Sequence, residues 1–241
     1  MAPFPYRDRL ALALDYDDLV EALALMDDVK EYFGIAKVGL ELFSAAGPDV
    51  IAALRERDIE VFVDLKLHDT PATVHKAARV LGAVGASYVS VHAQGGYDMV
   101  RAGVDGLIAG AEGAGLAVPA ALAVTVLASD NDAPPHIVPK RVDIARRAGC
   151  AGVVCAAGDL GAVRRLGGNL LAAVAGIRGA DDDGLPGGVT IESALNAGAD
   201  FAIVGRLITG ASNPAAAAAQ VVAGLLEFAG AGAPVGVGAA R

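Results

Sequence analysis

Residues 61–73 read Val-Phe-Val-Asp-Leu-Lys-Leu-His-Asp-Thr-Pro-Ala-Thr, an apolar run that ends in charged side chains. Side chains alternate between the two faces of a strand, so Asp64 and Lys66 are predicted to project on the same side. Thr70 fits an N-cap position and Pro71 a first helical position, which predicts that a helix begins there. This stretch therefore predicts one strand–helix unit, with charged residues at the carboxyl end of the strand.

Similar units recur along the chain, and amphipathic helical patterns, such as those over residues 18–31, 49–57 and 71–84, separate the apolar runs. Near-continuous hydrophobicity in a strand indicates that both faces are covered, as in a parallel sheet under helices. Eight such units in 241 residues predict a (β/α)8 barrel, a fold of about 250 residues. The predicted strands are residues 10–15, 35–39, 60–66, 88–93, 120–127, 152–157, 170–178 and 201–206.

A doubly wound open sheet is the competing fold. It usually has fewer strands, and no Gly-x-Gly-x-x-Gly turn follows the first strand here. No Pro- or Ser-rich linker interrupts the sequence, so residues 1–241 are expected to form one domain. The Gly/Ala-rich end, about residues 230–241, is expected to be a flexible tail.

Composition excludes several classes of function. Apolar residues make up 54% of the chain and charged residues 20%, which fits a globular core. The net charge of −9 argues against a nucleic-acid or anionic-membrane partner, since both need a positive surface. Cys150 and Cys155 match neither a disulfide framework nor a zinc site. The sequence shows no signal-peptide pattern and no membrane-length apolar run, so a cytoplasmic location is expected.

In a barrel of this kind the chemistry lies at the carboxyl ends of the strands. Lys37 ends a neighbouring apolar strand, and with Asp64, Lys66 and Asp69 it predicts an alternating array of cations and anions. Such an array suits proton delivery from a fixed ammonium to a carbon that becomes negative, without a metal or an organic cofactor. For Asp69 alone, a structural role at a helix N-terminus is an equally good interpretation.

The last two strands predict a phosphate site. In barrels the loops after strands seven and eight often bind phosphate through backbone N–H groups. Strand seven ends in Gly176-Ile177-Arg178 and strand eight in Gly205-Arg206, so glycines allow close approach and arginine offers a bidentate fork.

These residues together resemble one known family. The array Asp64-x-Lys66-x-x-Asp69, preceded by Asp15 and Lys37 and followed by Gly205-Arg206, is similar to the signature of the orotidine 5′-phosphate decarboxylases. The resemblance runs from about residue 10 to residue 214. It implies a cofactor-free decarboxylation of orotidine 5′-phosphate to uridine 5′-phosphate in pyrimidine biosynthesis, by a homodimer with active sites at the subunit interface.

The resemblance also implies roles for the charged array. Lys66 would donate the proton that replaces the substrate carboxylate at C6 of the pyrimidine. Asp64 would crowd that carboxylate and hold Lys66, while Lys37 would complete the array and contact the ribose. Asp69 would enter the active site of the partner subunit.

Further positions are implied to bind substrate. Asp15 would hold a ribose hydroxyl, and Thr73 would lie near Asp69. Arg178, Gly205 and Arg206 would bind the phosphate. Because the chain carries a net negative charge, an anionic ligand must be held by local hydrogen-bond donors.

Two positions depart from the family pattern. The hydroxyl that contacts the pyrimidine after strand five falls on Ala128, with Ser129 next to it as a possible substitute. The loop after strand seven lacks the usual phosphate-binding Gln and carries Asp181–Asp183 instead. Weaker capture of the substrate phosphate, or a loop that closes through backbone N–H groups, is the expected consequence.

Two rival interpretations remain. The hexulose-phosphate synthases and ketogulonate-phosphate decarboxylases share the Asp-x-Lys-x-x-Asp array but use Mg2+, and they place a carboxylate where this chain has Lys37. A lysine cannot ligate Mg2+, so Lys37 favours the metal-free reaction. A catalytically silent nucleotide-binding barrel is the second rival, and an intact charged array argues against it.

Overall fold

The computed structural model describes residues 4–127, 129–130, 132–177 and 189–230. Most of the expected tail, residues 231–241, lies outside these ranges. Eight short strands carry the architecture. They are β1 (Leu10–Leu14), β2 (Ile35–Val38), β3 (Glu60–Leu67), β4 (Tyr88–His92), β5 (Ala120–Val124), β6 (Gly152–Ala156), β7 (Leu171–Ala175) and β8 (Phe201–Val204).

The strands form a closed parallel barrel in chain order, in which β1 pairs with both β2 and β8. The predicted (β/α)8 fold is therefore confirmed. Most predicted strands continue past the observed ones by one to three residues. Asp15 is the first residue after β1, whereas Lys37, Asp64 and Lys66 lie in the carboxyl-terminal halves of β2 and β3.

Helices cover the outside of the barrel. The three helical patterns quoted from the sequence correspond to α1 (Leu19–Val29), α3 (Asp49–Arg55) and α4 (Pro71–Ala83), and Pro71 is the first residue of α4. Among the described residues, the helices are α1 (Leu19–Val29), α2 (Leu40–Ala46), α3 (Asp49–Arg55), α4 (Pro71–Ala83), α5 (Gly96–Ala114), α6 (Ile137–Ala148), α7 (Leu160–Leu166), α8 (Ile191–Asn196), α9 (Arg206–Thr209) and α10 (Pro214–Gly230). None of these helices has the length and apolar character needed to cross a membrane.

Buried apolar residues form two separate clusters. The larger one fills the layer between strands and helices, while the smaller one fills the barrel interior. In the interior cluster, Phe62, Tyr88 and Phe201 pack at ring-centroid distances of 5.4–6.2 Å. Aromatic side chains thus fill part of the barrel interior, which is a packed core in this fold.

The alternation of strand side chains places charge above this interior cluster. The interior cluster includes Ala13 from β1, Ile35 from β2 and Phe62 from β3. Side chains two positions apart share a face. The residues two positions further along the chain are Asp15, Lys37 and Asp64.

Candidate functional site

A cavity of about 1140 Å³ opens at the carboxyl ends of the strands. Its lining joins the two regions that the sequence predicted separately. Asp15, Lys37, Asp64 and Lys66 lie along one part of it, and the Gly205-Arg206 turn lies along another. The cavity is therefore large enough to hold a small charged ligand between the two regions.

Four charged side chains form a continuous chain of contacts in this cavity. Lys66 Nζ donates to Asp64 Oδ2 at 2.7 Å, and Lys37 Nζ lies 4.0 Å from the same oxygen. Lys37 Nζ also donates to Asp15 Oδ1 at 3.0 Å. The signs alternate along the sequence Asp15, Lys37, Asp64 and Lys66, so each charge faces at least one of opposite sign.

Burial varies strongly along this charged chain. The Asp64 side chain is 7% exposed and the Lys37 side chain 11%, whereas Lys66 is 33% exposed. A buried carboxylate needs both partners and hydrogen bonds, and Asp64 has them. The ammonium of Lys66 is held by Asp64 and still reaches the cavity, which is the geometry required of a proton donor.

A β-bulge in β3 sets the position of Lys66. Val63 pairs with Val89 and Leu67 pairs with Val91, so three residues of β3 face the single residue Ser90 of β4. Lys66 has φ +51°, in the left-handed region that non-glycine residues rarely adopt. Such bulges are frequent next to active sites, where they redirect a side chain.

His92 lies at the same end of β4 and is buried. Its Nδ1 accepts a hydrogen bond from the backbone N–H of Gln94 at 3.2 Å, and its ring lies 5.5 Å from that of His68. Burial, together with the nearby cations Arg141 and Lys66 and with His68, lowers the pKa of His92 to about 4. His92 is therefore neutral near pH 7 and adds no positive charge beside Lys66.

Asp69 and Thr73 lie outside the charged chain. Asp69 is exposed and its Oδ1 accepts a hydrogen bond from the backbone N–H of Thr70 at 2.5 Å. Thr70 is the N-cap of α4, as expected, but its hydroxyl bonds that of Thr73 at 3.0 Å instead of capping the helix. Within the described residues no ion pair joins Asp69 to Lys66 of the same chain.

The Gly205-Arg206 turn lies beside the charged chain. A Cβ placed on Gly205 would lie 3.6 Å from Ala13 Cβ and 4.0 Å from Asp15 Oδ2, so the turn is next to the Asp15 end of the charged chain. Arg206 is exposed at the first position of α9. A phosphate at this turn would meet backbone N–H groups and a guanidinium.

For several predicted positions the structure either gives no description or shows no contact with the charged chain. Arg178, Ala128 and the acidic loop Asp181–Asp183 are outside the described residues. Ser129 is exposed. In the part of the chain that the structure describes, no three His, Cys, Asp or Glu side chains are grouped as a metal site.

The model of the orotidine 5′-phosphate decarboxylase/HUMPS family matches residues 8–221. The chain belongs to this family. It is 37% identical over 220 residues to an orotidine 5′-phosphate decarboxylase of Lactiplantibacillus plantarum, covering 85% of this chain and 93% of the relative. It is 40% identical over 225 residues to that of Maridesulfovibrio salexigens, covering 89% and 97%.

Solved structures agree with this assignment to the decarboxylase/HUMPS family. The orotidine 5′-phosphate decarboxylase of Lactobacillus acidophilus is 36% identical, with a TM-score of 0.75, and the match covers 92% of this chain and 99% of that one. An uncharacterised conserved protein of Geobacillus kaustophilus is 32% identical, also with a TM-score of 0.75, over 88% and 97% of the two chains.

Ser90 is a residue next to the charged chain that sequence reasoning missed in this family member. It is fully buried, and its hydroxyl lies between the backbone of Lys66 and the carboxylate of Asp64. A signal was present, because Tyr88, Ser90 and His92 alternate with valines in β4. Polar side chains at every second position of a buried strand indicate a face that leads to the cavity.

Proposed function

We propose that this chain is an orotidine 5′-phosphate decarboxylase that forms uridine 5′-phosphate and CO2 without a cofactor. The observation that carries the proposal is the contact of 2.7 Å between Lys66 Nζ and Asp64 Oδ2 at the cavity, with Lys37 on the other side of that carboxylate. Family membership and the decarboxylase relatives support the same reaction.

The charged chain accounts for the chemical step. The substrate carboxylate binds beside Asp64, whose side chain is only 7% exposed, and the two negative charges repel each other there. The bond from C6 to the carboxylate breaks, CO2 leaves, and the electron pair remains on C6. The ammonium of Lys66 stabilises that charge and transfers its proton to C6, and the resulting amine regains a proton from solvent.

The remaining predicted residues bind the nucleotide in this proposal. Asp15 and Lys37 hold ribose hydroxyls, and their contact of 3.0 Å fixes both side chains before substrate enters. Gly205 and Arg206 bind the phosphate, together with Arg178. The phosphate binding energy is used at C6, since these contacts hold the reacting carbon against Lys66.

Lys37 separates this reaction from the magnesium-dependent reactions that are the rival interpretation. Its ammonium occupies the position between Asp15 and Asp64, at 3.0 Å and 4.0 Å from their oxygens. A cation fixed there repels Mg2+ and takes the two carboxylates that a metal would need.

The test is the ultraviolet absorbance of orotidine 5′-phosphate during incubation with the purified wild-type protein, with and without EDTA. We expect turnover at the same rate in both samples. An absence of turnover contradicts the proposal, and a rate that EDTA abolishes and Mg2+ restores favours the metal-dependent rival.

We also propose that the protein is a homodimer in which Asp69 completes the partner's array. Asp69 is exposed and lies three residues beyond Lys66, at the start of α4. A carboxylate from a second copy would give Lys66 a second anionic neighbour and continue the alternation of charge. In this proposal Ser129 contacts the nucleotide, and Thr73 lies near Asp69.

Mixed dimers test the shared site. Lys66→Ala and Asp69→Ala proteins are each expected to be nearly inactive. A 1:1 mixture that exchanges subunits should recover about a quarter of the wild-type activity, because half of the dimers are mixed and each has one intact site. No recovery, with subunit exchange shown by differently tagged chains, contradicts the proposal.

A cytoplasmic location remains part of the proposal. Cys150 and Cys155 are free, buried thiols, as is common in proteins of reducing compartments.

A further inference from the structure

Ser90 occupies a special position in the barrel. It lies in the middle of β4, is fully buried, and is the only residue that faces the three bulged residues of β3 between the pairs Val63–Val89 and Leu67–Val91. A polar side chain so deeply buried must use its hydrogen-bonding groups within the protein.

The Ser90 hydroxyl both accepts and donates a hydrogen bond, and the partner fixes the direction of each bond. The backbone N–H of Lys66 can only donate, so Ser90 Oγ accepts from it at 2.8 Å. The carboxylate of Asp64 accepts, so the hydroxyl proton goes to Asp64 Oδ1 at 2.9 Å. One hydroxyl therefore joins the backbone of the proton donor to the carboxylate that holds its ammonium.

This arrangement orients Asp64. Ser90 takes Oδ1, which leaves Oδ2 to face Lys66 Nζ at 2.7 Å and Lys37 Nζ at 4.0 Å. The same hydroxyl satisfies the N–H that the bulge removes from the ladder and so holds Lys66 at its unusual φ of +51°. The Ser90 side chain thus fixes both the carboxylate of Asp64 and the backbone of Lys66.

We infer that Ser90 is a positioning residue for the decarboxylation, acting through Asp64 and Lys66. The inference rests on the proposed function. Ser90 is not among the described residues that line the cavity. It therefore acts on the placement of the charged array and not on the binding of the nucleotide. Its loss lowers kcat and leaves KM nearly unchanged, since the phosphate and ribose contacts are made by other residues.

Ser87 provides a matched control. It lies three residues earlier, is half-buried, and its hydroxyl also accepts a backbone N–H from β3, that of Val61 at 3.2 Å. Ser87 has no contact with the charged array. Ser87→Ala and Ser90→Ala therefore remove the same group and the same kind of bond to β3, and only Ser90→Ala removes a bond to Asp64.

The experiment compares kcat, KM and the affinity for uridine 5′-phosphate in wild type, Ser90→Ala, Ser90→Thr and Ser87→Ala. We expect Ser90→Ala to lower kcat about 100-fold, the effect of misplacing a reacting group by about an ångström, with KM and product affinity within about threefold. Ser90→Thr keeps the hydroxyl and should restore most of kcat. Ser87→Ala should retain wild-type kcat.

A Ser90→Ala protein with wild-type kcat, or an equal fall of kcat in Ser87→Ala, overturns the inference. If Ser90→Ala does not fold, Ser90→Cys replaces it, because a thiol is a weaker donor of similar shape and should give an intermediate kcat. Wild-type kcat in Ser90→Cys then overturns the inference. Failure of the proposed function is distinguishable, since wild type itself would then show no turnover.

Discussion

Ionic clusters occur at both ends of the barrel and are built differently. At the amino-terminal end, Arg164 donates to the carbonyls of Gly198 and Leu170 and to Asp200 Oδ2, at 2.5–2.8 Å. Arg9 donates to the carbonyls of Ala199 and Asp200 at 2.7 Å and 3.1 Å. These arginines tie together the segments before β1, β7 and β8.

The cluster at the carboxyl end uses lysines instead. The described contacts of Lys66 Nζ include one hydrogen bond to a side chain, and a third of its side chain is exposed to the cavity. A guanidinium is always charged and binds several acceptors in fixed directions, whereas an ammonium can release a proton. The difference indicates that the amino-terminal cluster stabilises the fold and the carboxyl-terminal cluster performs the reaction.

The sharpest test of this comparison is Lys66→Ala. We expect turnover to fall about 10⁴-fold, the upper range for loss of a general acid. The free energy of unfolding should fall by no more than about 2 kcal/mol, because Lys66 makes a single side-chain hydrogen bond and the buried Asp64 keeps Lys37 and the hydrogen bond from Ser90. Steady-state turnover and urea unfolding on one preparation measure both, and a strongly destabilised Lys66→Ala protein would erase the distinction.

Arg164→Ala should give the reverse result. It leaves the carbonyls of Gly198 and Leu170 without their side-chain donor and leaves Asp200 Oδ2 with only the backbone N–H of Ala172, so we expect a loss of about 2–4 kcal/mol in the free energy of unfolding. The kcat of the folded fraction should be unchanged. Arg165→Ala, at the exposed neighbouring position of α7, is the control and should be nearly neutral. A kcat loss in Arg164→Ala at full stability would argue against a structural role.

A third effect concerns pH and grows gradually as the solution is acidified. The pKa of His92 is about 4 in the folded chain and near 6.5 when unfolded, so the unfolded chain binds more protons between these values. Stability from this group is therefore lost as the pH falls from 6.5 to 4, by at most about 1.4 kcal/mol per pH unit.

His92→Asn should remove that part of the acid sensitivity, since Asn can still accept from the backbone N–H of Gln94. Urea unfolding at pH 4.5, 5.5 and 7 measures it, with His75→Asn on α4 as the control. Parallel pH dependences of wild type and His92→Asn would refute the assigned pKa.

The barrel and the charged positions were predictable because both depend on local periodicity. Continuous apolar runs indicate strands covered on both faces, and charges near the ends of several runs mark the carboxyl edge. Lys37 and Asp64 could be placed together because neighbouring strands are consecutive in the chain.

The bulge and the amino-terminal cluster were not predictable in the same way. Strict alternation assumes a regular strand, so it put Asp64 and Lys66 on one side without revealing that Ser90 alone faces both. Arg164 and Asp200 are 36 residues apart, and their contact depends on the packing of α7 against the ends of β7 and β8. Such long-range contacts leave no periodic pattern in one sequence.

An experimental structure with uridine 5′-phosphate bound tests the central claim most directly. The account predicts that C6 of the pyrimidine lies about 3–3.5 Å from Lys66 Nζ, with the phosphate at Gly205 and Arg206. A nucleotide bound with C6 turned away from Lys66, or with its phosphate among the four charged side chains, would contradict it.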